Sequence, residues 1–212
     1  MMVELFLLTL MATIAAQLAP GPNFLAVAAA ALGQGRMAGM CVAAGVACGV
    51  FFWVLLVAFG LGSLLELVPS ALLALKIAGG LYLIYLASRG LRAAIKGEAV
   101  MLSADKKTIS LRRNWLTGVL VVVTNPKAAL MWIAMATFLF AGGGTWVHVL
   151  LFGPLGALSA MAVYGLYAWL FSTNVAMRSY QRFSRVFEFS FASLFGLFGG
   201  KLLWDGMKEL RA

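Results

Sequence analysis

Residues 3–32 read VELFLLTLMATIAAQLAPGPNFLAVAAAAL, and Ala19-Pro20-Gly21-Pro22-Asn23 interrupts this apolar run near its middle. A straight helix needs about 20 residues to cross about 30 Å of hydrocarbon. This run is longer, and its one charged residue is Glu4 at the start. It therefore reads as a membrane span that is broken partway. Each proline lacks an N–H and collides with the preceding turn, which frees backbone groups at membrane depth. Exposed to lipid, such groups would cost several kcal/mol each, so the break is expected to face protein or a wet cavity.

Working outward, a second long run has the same form. Residues 115–140 read WLTGVLVVVTNPKAALMWIAMATFLF, interrupted at Thr124-Asn125-Pro126-Lys127. Four further runs are long enough to cross a bilayer, giving six spans: Val3 to Leu32, Met37 to Leu65, Ala71 to Ser88, Trp115 to Phe140, Trp146 to Phe171 and Phe189 to Met207. The connectors carry the expected punctuation: Gly33, Gly35 and Arg36; Glu66, Pro69 and Ser70; the polar stretch Arg89 to Arg113; Gly142 to Thr145; and Ser172 to Arg185. The expected fold is all-α, a single polytopic membrane domain over 1–212. The first span lacks the basic leader of a signal peptide, having Glu4 instead, and is read as a retained helix.

Composition agrees. Hydrophobic residues make up 63% of the chain and mean hydropathy is +0.98, too high for a soluble domain with a polar surface. The net charge of +9 raises the question of nucleic acid, but the basic residues lie in connectors and form no stripe or binding motif. No nucleic-acid partner is expected; the lipid bilayer is. Cys41 and Cys48 share one apolar run, which excludes a disulfide framework, and no metal site or cofactor is expected. Metal hydrolysis wants clustered His and carboxylates, whereas this chain has one His and hardly any intramembrane carboxylate. An enzyme is not expected. A non-transporting scaffold or accessory subunit remains the alternative, and two costly breaks argue against it.

Orientation follows from Lys and Arg, which accumulate on the cytoplasmic side. Arg36, Arg89, Arg92, Lys96, Lys106, Lys107, Arg112, Arg113, Arg178, Arg182 and Arg185 fall on one side. The other receives Lys76, Lys201, Lys208 and Arg211, and Lys127 lies within a span. Both termini are thus expected outside.

Breaks in the first and fourth spans divide the chain into two three-helix halves, 1–92 and 114–212, joined by a basic cytoplasmic linker, 93–113. A three-helix unit followed by its copy must be inverted. The third span carries Gly79-Gly80-Leu81-Tyr82 and the sixth Gly199-Gly200-Lys201-Leu202. Matched breaks and matched glycine pairs fit the inverted repeats of secondary transporters, whose sites lie at the midplane between discontinuous helices.

The chain also resembles the lysine exporter superfamily, in particular its homoserine and threonine exporter branch. The resemblance runs essentially end to end, through Pro20-Gly21-Pro22-Asn23-Phe24, the second span with Gly45 and Gly49, Gly79-Gly80-Leu81-Tyr82-Leu83, Asn125-Pro126-Lys127-Ala128 and the Gly-rich last span. It implies a six-helix amino-acid exporter of the bacterial inner membrane, driven by proton antiport and associating as a homodimer. Many relatives place Asp where this chain has Asn23, which counts against a proton-carrying role there.

The residues expected to bind cargo are Gln17, Pro20, Gly21, Pro22, Asn23, Asn125, Pro126 and Lys127. Helix N-termini with Lys127 supply donors for an amino acid's carboxylate, and freed carbonyls with the Gln and Asn amides supply acceptors for its ammonium. Lys201 and Asp205, spaced i and i+4, read as an ion pair; Asp205, placed inside a span, is the candidate proton carrier. A cationic cargo would want an uncompensated carboxylate, so a neutral one is favoured. Cys41, Gly45 and Gly49 form a small-residue packing face. His148 reads as a surface residue. Tyr82, Tyr85, Tyr164, Tyr167 and Trp169 suit cavity walls, but aromatics near span ends are usually belt anchors, and they are assigned no role.

Overall fold

The structure, a computed structural model, describes residues 2–68, 70–96 and 110–210, with side chains at all of these except 66, 126, 174–185, 187, 188 and 191. Helix is the regular structure throughout the described residues, as lipid requires of a backbone that must satisfy its own hydrogen bonds. The first expected span is α1 (Met2–Leu18) followed by α2 (Pro22–Gln34), bent by 53° at the break. A single residue, Gly35, joins α2 to α3 (Arg36–Leu56), and its φ of +93° is one that glycine adopts without strain. α3 passes into a π-helical turn (Val57–Leu61) and then α4 (Gly62–Leu67), together the second span.

α5 (Ala71–Lys96) is the third span and continues two turns past its expected end at Ser88. α6 (Leu111–Thr124) and α7 (Pro126–Ala141) form the fourth, bent by 61°. α8 (Trp146–Leu170) is the fifth; its first turn is capped by His148, whose Nδ1 accepts from the Thr145 N–H at 3.0 Å. α9 (Asn174–Leu210) contains the sixth expected span and begins well before it. The stretch Ser172 to Arg185, expected as a connector, is helical from Asn174 onward because no Gly or Pro interrupts it. Among the described residues three helices are long and apolar enough to cross a membrane, or up to five if each bent pair is one span. Most of the basic linker, residues 97–109, and Pro69 lie outside the described residues.

Close packing depends on glycine. α5 packs most extensively on α9, where Gly80 and Gly199 meet backbone to backbone: a Cβ on Gly80 would lie 3.0 Å from the Gly199 carbonyl, and one on Gly199 2.8 Å from the Gly80 carbonyl. α3 packs on α6 and α8. Gly45 lies against the Trp115 carbonyl and Gly118, and Gly49 against Val122, the small-residue contact anticipated for that face. Lys76 pairs with Glu209, tying the start of α5 to the end of α9. Leu158 and Leu197 point outward at 67% and 75% exposure, an apolar exterior suited to lipid.

Candidate functional site

The site begins with the carbonyls that the prolines orphan. In an unbroken helix the N–H of residue 22 would bond to Leu18, but residue 22 is Pro22; the Tyr167 hydroxyl on α8 donates to the Leu18 carbonyl instead, at 2.7 Å. Pro126 likewise removes the helical donor to Val122, whose carbonyl accepts from the Trp53 indole N–H on α3 at 2.9 Å and from the Asn125 N–H at 3.4 Å. Within the first break, the Ala19 and Pro20 carbonyls accept from Lys127 Nζ at 3.4 and 3.2 Å. The freed groups are thus satisfied by side chains from other helices.

The two breaks also meet directly. Asn125 caps α7 by accepting from the Lys127 N–H at 3.0 Å, and its amide NH2 donates to Asn23 Oδ1 at 3.1 Å. Asn23 in turn donates to the Tyr164 hydroxyl at 3.4 Å. Asn23, Asn125 and Gln17 are buried, at 8%, 5% and 3% exposure, while Gly21 and Lys127 are half-buried and Pro22 is exposed. Gly21 leaves the room Lys127 uses, since a Cβ there would lie 3.4 Å from Nζ.

Two cavities adjoin this junction, and Ala19, Gly21, Asn125 and Lys127 line both. The smaller, about 30 Å³, lies between Gln17, Asn23, Trp132 and Tyr164. The larger, about 370 Å³, is lined also by Pro20, Pro22, Arg89 and Phe195, and Arg89 places it on the basic side of the molecule. No Asp or Glu is among the described residues lining either cavity. An α-amino acid is larger than the first cavity and fits within the second.

Every expected cargo residue with a described side chain is therefore at one junction; Pro126 contributes its backbone as the first residue of α7. Lys201 and Asp205 are elsewhere. They form an ion pair at 2.9 Å with side chains 56% and 35% exposed, and with Glu4, Leu5 and Phe138 they line a third cavity of about 410 Å³ at the opposite end of α1. Tyr164 and Tyr167, which lack a sequence-assigned role, are buried at the breaks, where Trp53 joins them without any mark in the sequence. Only their partners mark them, and those partners are far away in sequence.

A family model described as LysE type translocator matches residues 14–206. The threonine efflux protein of Escherichia coli (strain K12) is 31% identical over 205 residues, covering 95% of this chain and 98% of that protein. The threonine efflux protein of Salmonella typhi is 29% identical over the same coverage. An uncharacterized membrane protein of Haemophilus influenzae is 25% identical, covering 90% of this chain and 92% of that protein. No solved structure matches.

Proposed function

The chain belongs to the LysE type translocator family, and from that premise we propose that it exports an amino acid with an uncharged side chain, by proton antiport across the bacterial inner membrane. Membership makes it a multi-pass membrane transporter and not an enzyme. The observation that carries the finer reading is the junction itself: both broken spans meet at Asn23, Asn125 and Lys127 beside two cavities lined by no described carboxylate. Lys127 is a charged donor suited to the cargo's carboxylate. The Ala19 and Pro20 carbonyls, which accept from Lys127 here, become acceptors for the cargo's ammonium when Lys127 turns to the carboxylate. A cationic side chain would add a positive charge that no described residue lining either cavity neutralises. A neutral one adds none.

The halves 1–92 and 114–212 act in this reading as inverted repeats. Its support is the matched pairing at the two breaks: Pro22 and Pro126 each remove the helical donor to the carbonyl four residues back, and an aromatic donor from the second span of the opposite half bonds to that carbonyl. Asp205 is the candidate proton carrier, and its cavity opens at the end expected to face the periplasm, where antiported protons enter.

The test is efflux from proteoliposomes across an amino-acid panel, with and without an imposed pH gradient. Threonine heads the panel because relatives bear it in their names. The reading predicts gradient-accelerated efflux of neutral amino acids. A folded, reconstituted protein that moves none of them would contradict it and favour a scaffold.

A further inference from the structure

Gln17, one of the residues lining the small cavity, carries a buried polar atom without a partner. Gln17 is 3% exposed, and its side-chain oxygen has no hydrogen-bond partner. Its orientation is fixed by chemistry: the other end of the amide faces the Gly156 carbonyl at 3.1 Å, and only an NH2 can face a carbonyl. The oxygen can therefore only accept. A buried, unpaired acceptor forfeits its hydration, which a fold does not retain without a reason. The cavity beside it, about 30 Å³, admits one or two water-sized groups. Phe24, Val50, Met131 and Trp132 supply apolar wall.

That wall decides which donor belongs there. An ammonium desolvated against apolar groups with one neutral acceptor is unfavourable, whereas a hydroxyl needs only one acceptor. We infer that Gln17 reads a hydroxyl on the side chain of the cargo, accepting from it through Oε1, and so sets specificity for hydroxylated over aliphatic side chains of equal shape. The inference rests on the proposed transport role. Asn125 and Lys127 line both cavities, so cargo with its charged groups at Lys127 and in the larger cavity has only its side-chain tip to offer the smaller. A methyl group in place of the hydroxyl leaves Oε1 unpaired, the situation in which a site built for a hydroxyl rejects its isostere.

Two isosteric pairs test this: serine against 2-aminobutyrate, and threonine against valine. The measurement is kcat/KM for efflux from proteoliposomes containing wild type or Gln17→Met. Wild type is expected to favour the hydroxylated member by about ten-fold or more. In Gln17→Met the members of each pair should fall within about two-fold of one another, whatever the absolute rate of efflux. A preference unchanged in the variant would overturn the inference. That result would follow if Gln17 met the ammonium, which both members carry, or merely held a water. Gln17→Met also loses the bond to Gly156, so if it does not assemble, inhibition constants of the four amino acids on wild type decide the matter. Equal constants within each pair would overturn the inference there too. A wild type that exports and discriminates neither pair removes the Gln17 role alone, whereas one that exports none of the four removes the transport reading and this inference with it.

Discussion

The breaks are held by single side chains, and each has its own consequence. Tyr167 donates to the Leu18 carbonyl that Pro22 deprives of its helical donor, so Tyr167→Phe should lower stability by about 1–3 kcal/mol, the cost of an unpaired buried group. Trp53→Phe should cost about 0.5–1.5 kcal/mol, because the Val122 carbonyl still accepts from the Asn125 N–H at 3.4 Å. Unfolding of the purified variants in detergent checks this; midpoints indistinguishable from wild type would mean that water replaces both donors. The prolines announce in sequence that carbonyls are freed. They do not announce who receives them, because Trp53 and Val122 are 69 positions apart and Tyr167 and Leu18 are 149 apart. Asp205 allows a second expectation at this scale. As the candidate proton carrier, its Asp205→Asn variant should lose proton-driven accumulation yet keep exchange of cargo for cargo. Uphill transport by that variant would make the Lys201–Asp205 pair structural.

Helices were the most legible level, and their ends the least. Apolar length placed a helix or a bent helix pair over each expected run, and prolines located both bends. The ends of α5 and start of α9 run past expectation because basic, glycine-poor sequence stays helical where water replaces lipid. The π-helical turn at Val57–Leu61 carries no sequence signature. Glycine pairs marked α5 and α9 as counterparts but not which glycine of each does the packing. The contact separates them: Gly80 and Gly199 each oppose the other's carbonyl, whereas a Cβ on Gly200 meets nothing within 4 Å. Gly80→Ala should therefore cost about 1–3 kcal/mol through overpacking, while Gly200→Ala should stay within about 0.5 kcal/mol or gain slightly. Equal melting temperatures for the two variants would contradict this contact.

For the whole molecule, eleven basic residues on one side against four on the other predict that both termini face outward. Lys106→Cys, outside the described residues, should react with an impermeant thiol reagent only after the membrane is opened. Gly143→Cys, in the turn between α7 and α8, should react on intact cells, and the reverse pattern would invert the topology. Where the two halves meet could not be read from either half alone, since the Asn125–Asn23 bond spans 102 positions. That meeting is the central claim: one cargo site built from both breaks. Calorimetric affinity for the exported amino acid, measured on Asn23→Ala from the first half and Lys127→Met from the second, tests it most directly. Both variants are predicted to weaken binding, by about 0.5–1.5 kcal/mol for the neutral amide and about 1.5–3 kcal/mol for the charged donor. If either variant keeps wild-type affinity while its ligand-free stability falls, that break is scaffolding and the shared site does not exist.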